Sequence, residues 1–232
     1  PYEWHIINKN GYDFCYIRFC ATIDWERGTI LILKRKCKIT FVAHGATIHS
    51  QEGIISDSEK YPPLTEHGYE EMQKICEYIK TRGIRDNKIF CSPSLRCMQS
   101  AQELSNVYKQ DYEVLNELSV RKCGVLNGKS FKTIIKKYPN NPSFASLDFE
   151  DGESLTDFNN RVTKVIEDLV ASNIGNRLIV VTYPSVIQSV VAHILDIPKE
   201  SQAKVLIKTG SMTQISCFEG WSSLIYSGYV PL

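Results

Sequence analysis

Two residues of this chain sit where chemistry is easiest to build. His44 follows the apolar run Ile39-Thr40-Phe41-Val42-Ala43 and precedes Gly45, as when a buried parallel strand delivers a side chain to the carboxyl edge of an α/β sheet. Arg96 follows the short run Ile89-Phe90-Cys91 and the break at Ser92-Pro93. That spacing puts it at the start of a helix, where a guanidinium fork and a helix N-terminus together suit an oxyanion. An imidazole nitrogen beside such a cation can move a phosphoryl group: one supplies the nucleophile, the other holds the equatorial oxygens. The plainer alternatives are a neutral His44 bonded to backbone at a strand end, and an Arg96 that pairs with a surface neighbour such as Glu103.

The elements that must position these residues read as strand and helix in alternation from residue 38 onward, the pattern of a wound parallel sheet. Strands are predicted at 38–42, 88–91, 112–115 and 178–181, with closing strands at 204–208 and 212–218. Helices are predicted from about residue 64 to 82, at 95–108, 129–137, 155–172 and 186–195. In the first, Thr65 is a suitable N-cap, and Met72, Ile75, Cys76 and Ile79 recur at helical spacing. In the long fourth helix Phe158, Val162, Val165, Ile166 and Leu169 share a face. The fold class is therefore α/β, a mostly parallel central sheet with helices on both sides. Residues 1–36 stand apart: a hairpin around Asn10-Gly11 and a strand near 27–33 make a β-rich extension ahead of a domain at 37–232. Trp4, Phe14, Tyr16, Phe19 and Trp25 are more aromatic side chains than a short hairpin buries alone. The extension packs either on the domain or against a protein partner.

Five segments in order resemble the motifs of the histidine phosphatase superfamily, the phosphoglycerate mutase-like fold, over roughly residues 38–230. They are Ala43-His44-Gly45, Leu64-Thr65-Glu66-His67-Gly68, Ser92 through Ala101 around Arg96, Asp151-Gly152-Glu153-Ser154 and Gly210-Ser211-Met212-Thr213. The resemblance implies that His44 is the nucleophile, that Arg96 belongs to the phosphate cradle, and that phosphomonoesterase or mutase activity would run through a phospho-His44 intermediate. It also exposes departures. The Arg that precedes the family's catalytic His is here Ala43, a second catalytic His is here Tyr183, and the loop acid falls on Val120. A lost charge-assisted contact removes about 1.5–3 kcal/mol, and a phenol cannot be a cation. Glu117 is the nearest carboxylate that could serve as acid, and Arg121 with Lys122 could restore positive charge beside Tyr183.

Cation, acid and second imidazole are thus lost together. The expectation is a catalytically impaired pseudophosphatase with a binding, regulatory or structural-subunit role. The alternative is a divergent enzyme that uses His44 and Arg96. A phosphorylated ligand or anion in the remnant pocket is the expected small partner.

Composition limits the rest. With 27 Lys+Arg against 26 Asp+Glu there is no global field for nucleic acid. No apolar run approaches the roughly 20 residues that span a bilayer. The eight cysteines show no metal-ligand spacing, so no metal and no cofactor is expected, and their apolar settings suit an intracellular reducing compartment, cytoplasm or organelle matrix.

Overall fold

The computed structural model describes residues 20–24, 29–33, 35–84, 88–138 and 149–232. Its centre is a six-stranded sheet in the order β5-β4-β6-β3-β7-β8. The strands are β3 (Cys37–Ala43), β4 (Lys88–Cys91), β5 (Tyr112–Val114), β6 (Arg177–Thr182), β7 (Met212–Cys217) and β8 (Ser222–Tyr229). The pairs β3–β6, β4–β6 and β4–β5 are parallel, while β7 runs antiparallel to both β3 and β8. β3 and β6 are buried on both faces, as the unbroken apolar runs Ile39–Ala43 and Leu178–Val181 require of central strands.

Helices cover the sheet. α2 (Glu66–Thr81) and α3 (Leu95–Tyr108) pack together, as do α5 (Leu155–Ser172) and α6 (Pro184–Ile194). Thr65 caps α2 through its hydroxyl to the Gly68 N–H, and Met72, Ile75, Cys76 and Ile79 form its buried face as the spacing predicts. The five-position apolar face of α5 is likewise buried. Two shorter helices complete the described set, α1 (Ile48–Glu52) and α4 (Phe131–Lys137). A satellite cluster of Ile55, Cys123, Leu126, Ile134 and Phe149 sits beneath the loops that join them.

The structure corrects the reading at one end. Residues 204–208 are not a strand: the chain makes a 3-10 helix over Lys199–Lys204 and then runs irregularly. β8 takes the edge of β7 that faces away from β3, and the Val205-Leu206-Ile207 run stays outside the sheet despite its composition. Sequence reasoning also passed over β8 and α1.

Upstream, β1 (Cys20–Asp24) and β2 (Thr29–Leu33) form a separate antiparallel pair. The hairpin expected around Asn10-Gly11 lies outside the described residues. Six cysteines, at 37, 76, 91, 97, 123 and 217, are buried and unpaired by disulfide. Burial pushes the Cys97 thiol up to about 11, which keeps it an inert thiol that packs as a small hydrophobe. Among the described residues no helix is long and apolar enough to cross a membrane.

Candidate active site

β3 ends at Ala43 and β6 at Thr182, in register with each other, so His44 and Tyr183 leave the sheet side by side at its carboxyl edge. Their rings meet edge to face with centroids 5.3 Å apart. Arg96, in the first turn of α3, reaches the same point: Nη2 donates to the Tyr183 hydroxyl at 3.0 Å, and the guanidinium lies 4.8 Å from the centre of the tyrosine ring. The three side chains are only 5%, 3% and 5% exposed for His44, Arg96 and Tyr183.

Hydrogen bonding fixes the state of the imidazole. Nδ1 lies 2.8 Å from the Gly45 carbonyl, which can only accept, so Nδ1 carries the proton and Nε2 keeps its lone pair. Burial, then the neighbouring Arg96 charge, lower the His44 pKa to about 4. The ring is neutral at pH 7 and in the tautomer a nucleophile needs. Burial also raises the Tyr183 phenol above its ordinary value, so it stays protonated.

Arg96 is the unusual member. No carboxylate pairs with it among the described residues; instead Nη1 donates to the Tyr61 carbonyl at 3.2 Å and Nη2 to the Ser56 carbonyl at 3.2 Å. Leu95 N donates to the Glu59 carbonyl at 2.7 Å. Residues 56–61 therefore lie across the guanidinium as a lid, and the chain's own carbonyls occupy donors that would face an anion. A buried cation without a counter-charge is costly, and its placement has the logic of an anion pocket.

A family model, histidine phosphatase superfamily (branch 1), matches residues 39–225. The chain belongs to the histidine phosphatase superfamily. Among curated relatives it is 28% identical over 158 residues to the rat 6-phosphofructo-2-kinase/fructose-2,6-bisphosphatase 4, covering 66% of this chain but only 32% of that protein. A broad-specificity phosphatase of Saccharomyces cerevisiae is 28% identical over 137 residues, 58% of each chain. The fold matches the solved native structure of a mycobacterial glucosyl-3-phosphoglycerate phosphatase with a TM-score of 0.71 at 20% identity, over 83% of this chain and 99% of that one.

In this histidine phosphatase fold the remaining motifs act as scaffold. Gly45 and Gly68 pack backbone to backbone: a Cβ on Gly45 would lie 2.3 Å from the Gly68 carbonyl oxygen, and one on Gly68 would lie 2.2 Å from the Ala46 oxygen. Glu71 accepts from the Ala46 N–H at 2.7 Å, and Ser100 from the Gly45 N–H at 3.1 Å. On the other side, Gly210 N donates to the His44 carbonyl at 3.0 Å and Ala43 N to the Ser211 carbonyl at 2.9 Å. The Asp-Gly-Glu-Ser motif is a clamp. Ser154 caps α5, and Glu153 takes both Nε and Nη2 of Arg161 at 2.9 and 2.7 Å, while Arg161 Nη1 holds the Glu117 and Ser119 carbonyls.

Glu117 and Arg121 are placed by these scaffold contacts. Glu117 is exposed and borders a groove with Lys88, Arg161, Lys164 and Asp168, whereas Tyr183 touches both His44 and Arg96. Arg121 is buried, stacks at 3.8 Å on the Phe149 ring and donates from Nε to the Glu153 carbonyl at 2.7 Å. Sequence reasoning missed His49 and the lid. His49, in α1, packs edge to face on Tyr61 at 5.2 Å, and burial and the Arg96 charge lower its pKa. A second histidine five positions after His44 was its one signal. The lid works through backbone carbonyls, which leave no mark in side-chain identity.

Proposed function

We propose that this protein is a catalytically impaired member of its superfamily, a pseudophosphatase whose pocket is closed on its own backbone and whose role is binding, regulatory or structural. The observation that carries this reading is the occupancy of Arg96. Its terminal nitrogens are engaged by the carbonyls of Ser56 and Tyr61 and by the Tyr183 hydroxyl, while position 43 offers only a buried methyl group. Phosphoryl transfer depends on cations around the equatorial oxygens and a donor for the leaving oxygen. The cluster here holds one cation, one neutral imidazole and one phenol. The β-rich extension is a candidate contact surface for a protein partner, because a two-stranded pair is at best marginally stable alone.

A second reading has its own support. His44 keeps the Nε2 lone pair of a nucleophile, and the superfamily relatives above are phosphatases by name. In that reading the lid opens, a phosphomonoester replaces the carbonyls on Arg96, and the chain is a divergent phosphomonoesterase or mutase-like enzyme. Calorimetric titration with inorganic phosphate separates the two. A closed pocket gives no binding, or a Kd weaker than about 1 mM; micromolar affinity lost in Arg96→Met supports the enzyme.

A further inference from the structure

His49 is partly exposed, yet its Nδ1 is sealed from water and has no hydrogen-bond partner among the described residues. A nitrogen in that state forgoes a hydrogen bond that water would supply, a cost that scaffolding alone does not explain. The residue is held at both ends of its short helix. Thr47 and Ser50 close a capping box at the start of α1, and the His49 carbonyl accepts from Ile54 N at 2.8 Å beyond Gly53, whose φ of 67° ends the helix. The imidazole then meets the Tyr61 ring edge to face at 5.2 Å, and the Tyr61 carbonyl is the one that sits on Arg96 Nη1 at 3.2 Å. The orphan nitrogen thus belongs to the ring that braces the lid, within electrostatic reach of the guanidinium that the lid covers.

We propose that His49 and Arg96 together form an acid-gated seat for a tetrahedral oxyanion. Protonation of His49 releases Tyr61 and the lid carbonyls from Arg96, and a phosphate- or sulfate-like group takes their place between the two cations. The gate rests on the lid being shut at pH 7 and follows from linkage. With the lid shut, a protonated His49 would set a second positive charge beside Arg96 and turn Nδ1 into a donor without an acceptor. Burial, then the Arg96 charge, accordingly lower its pKa, and Glu52 of the same helix only partly offsets them. Once the ring reaches water that penalty is gone, so proton uptake favours the open lid. The lid's own charges act weakly on this balance: Glu59 and Lys60 are exposed and of opposite sign, and Asp57 is engaged by Cys123 N at 2.7 Å. An oxyanion then supplies the open state with an acceptor for Nδ1–H and a counter-charge for both cations. The methyl group at position 43 and the phenol at 183 are untouched by the gate, so binding without turnover is the expectation.

The test is calorimetric titration of the chain with sulfate, a dianion at both about pH 5.5 and about pH 7.5. Affinity should be at least about tenfold higher at the lower pH. His49→Gln should keep the wild-type melting temperature and remove that gain, while Arg96→Met should remove binding at both pH values. In the unaltered chain, ring-proton NMR should show His49 titrating at a higher pH with saturating sulfate than without it. A gain at low pH that survives in His49→Gln overturns the gate, as does a His49 titration indifferent to sulfate. Weak binding at both pH values overturns the gate and leaves the closed pocket standing. Tight, Arg96-dependent binding already complete at about pH 7.5 overturns both.

Discussion

Acidification offers the sharpest quantitative test of how His44 is housed. The perturbation is a shift from pH 7 to pH 4. In the folded chain burial and the adjacent Arg96 hold the imidazole pKa at about 4, against 6.5 when unfolded. Below pH 6.5 the unfolded chain therefore takes up a proton that the folded chain refuses, so stability falls with pH. The loss from this group ends near pH 4, where the folded ring also protonates. Each pH unit of that gap is worth about 1.4 kcal/mol, so His44 alone should remove about 3 kcal/mol across the window. Urea unfolding at half-unit pH steps, for the wild type and for His44→Gln, isolates this from His49 and the carboxylates common to both. The wild type should lose about 3 kcal/mol more than the variant between pH 6.5 and 4. Parallel curves would refute the buried, cation-flanked imidazole, as would a His44 ring that titrates above pH 6 by NMR.

Other perturbations follow from the same contacts. Gly68→Ala should destabilise by more than about 2 kcal/mol in thermal melts, since the atoms its Cβ would strike are all Ala46 backbone. Arg161→Met leaves the largely buried Glu153 carboxylate without its fork and frees the Glu117 and Ser119 carbonyls; a loss of about 2 kcal/mol in urea unfolding is expected. Ala43→Arg combined with Tyr183→His should raise phosphomonoesterase turnover above that of the unaltered chain, because both changes return positive charge to the transferring group. Deleting residues 1–30 should lower the mass measured in solution by more than the deleted segment's own, as an assembly is lost, and leave the melting temperature of the domain within a few degrees; a collapsed domain would make the extension core instead.

Most of the fold was legible because its central strands are buried on both faces and its long helices carry clean apolar stripes. Those burial demands write themselves into composition, as at Leu178–Val181 and along α5. The closing hairpin was not legible. Val205-Leu206-Ile207 and Ser222–Tyr229 both suit a strand, and only the positions of β3 and β7 decide which finds a partner. At the site, His44, Arg96 and Tyr183 could be read from strand ends and a helix start, and the structure brings them together. What the sequence hid was what Arg96 touches. Its partners at Ser56 and Tyr61 are carbonyls, which any residue could supply. Arg121 looked like spare charge, and its stacking on Phe149 depends on a loop crossing that no local pattern records.

The central claim, that the pocket is closed and the chain catalytically impaired, is tested most directly by turnover of p-nitrophenyl phosphate. Wild type and His44→Ala should be assayed side by side at pH 5 to 8. A closed pocket gives no hydrolysis by the wild type above the His44→Ala background at any pH. Sustained turnover that disappears in His44→Ala would contradict it and make this chain a working histidine phosphatase.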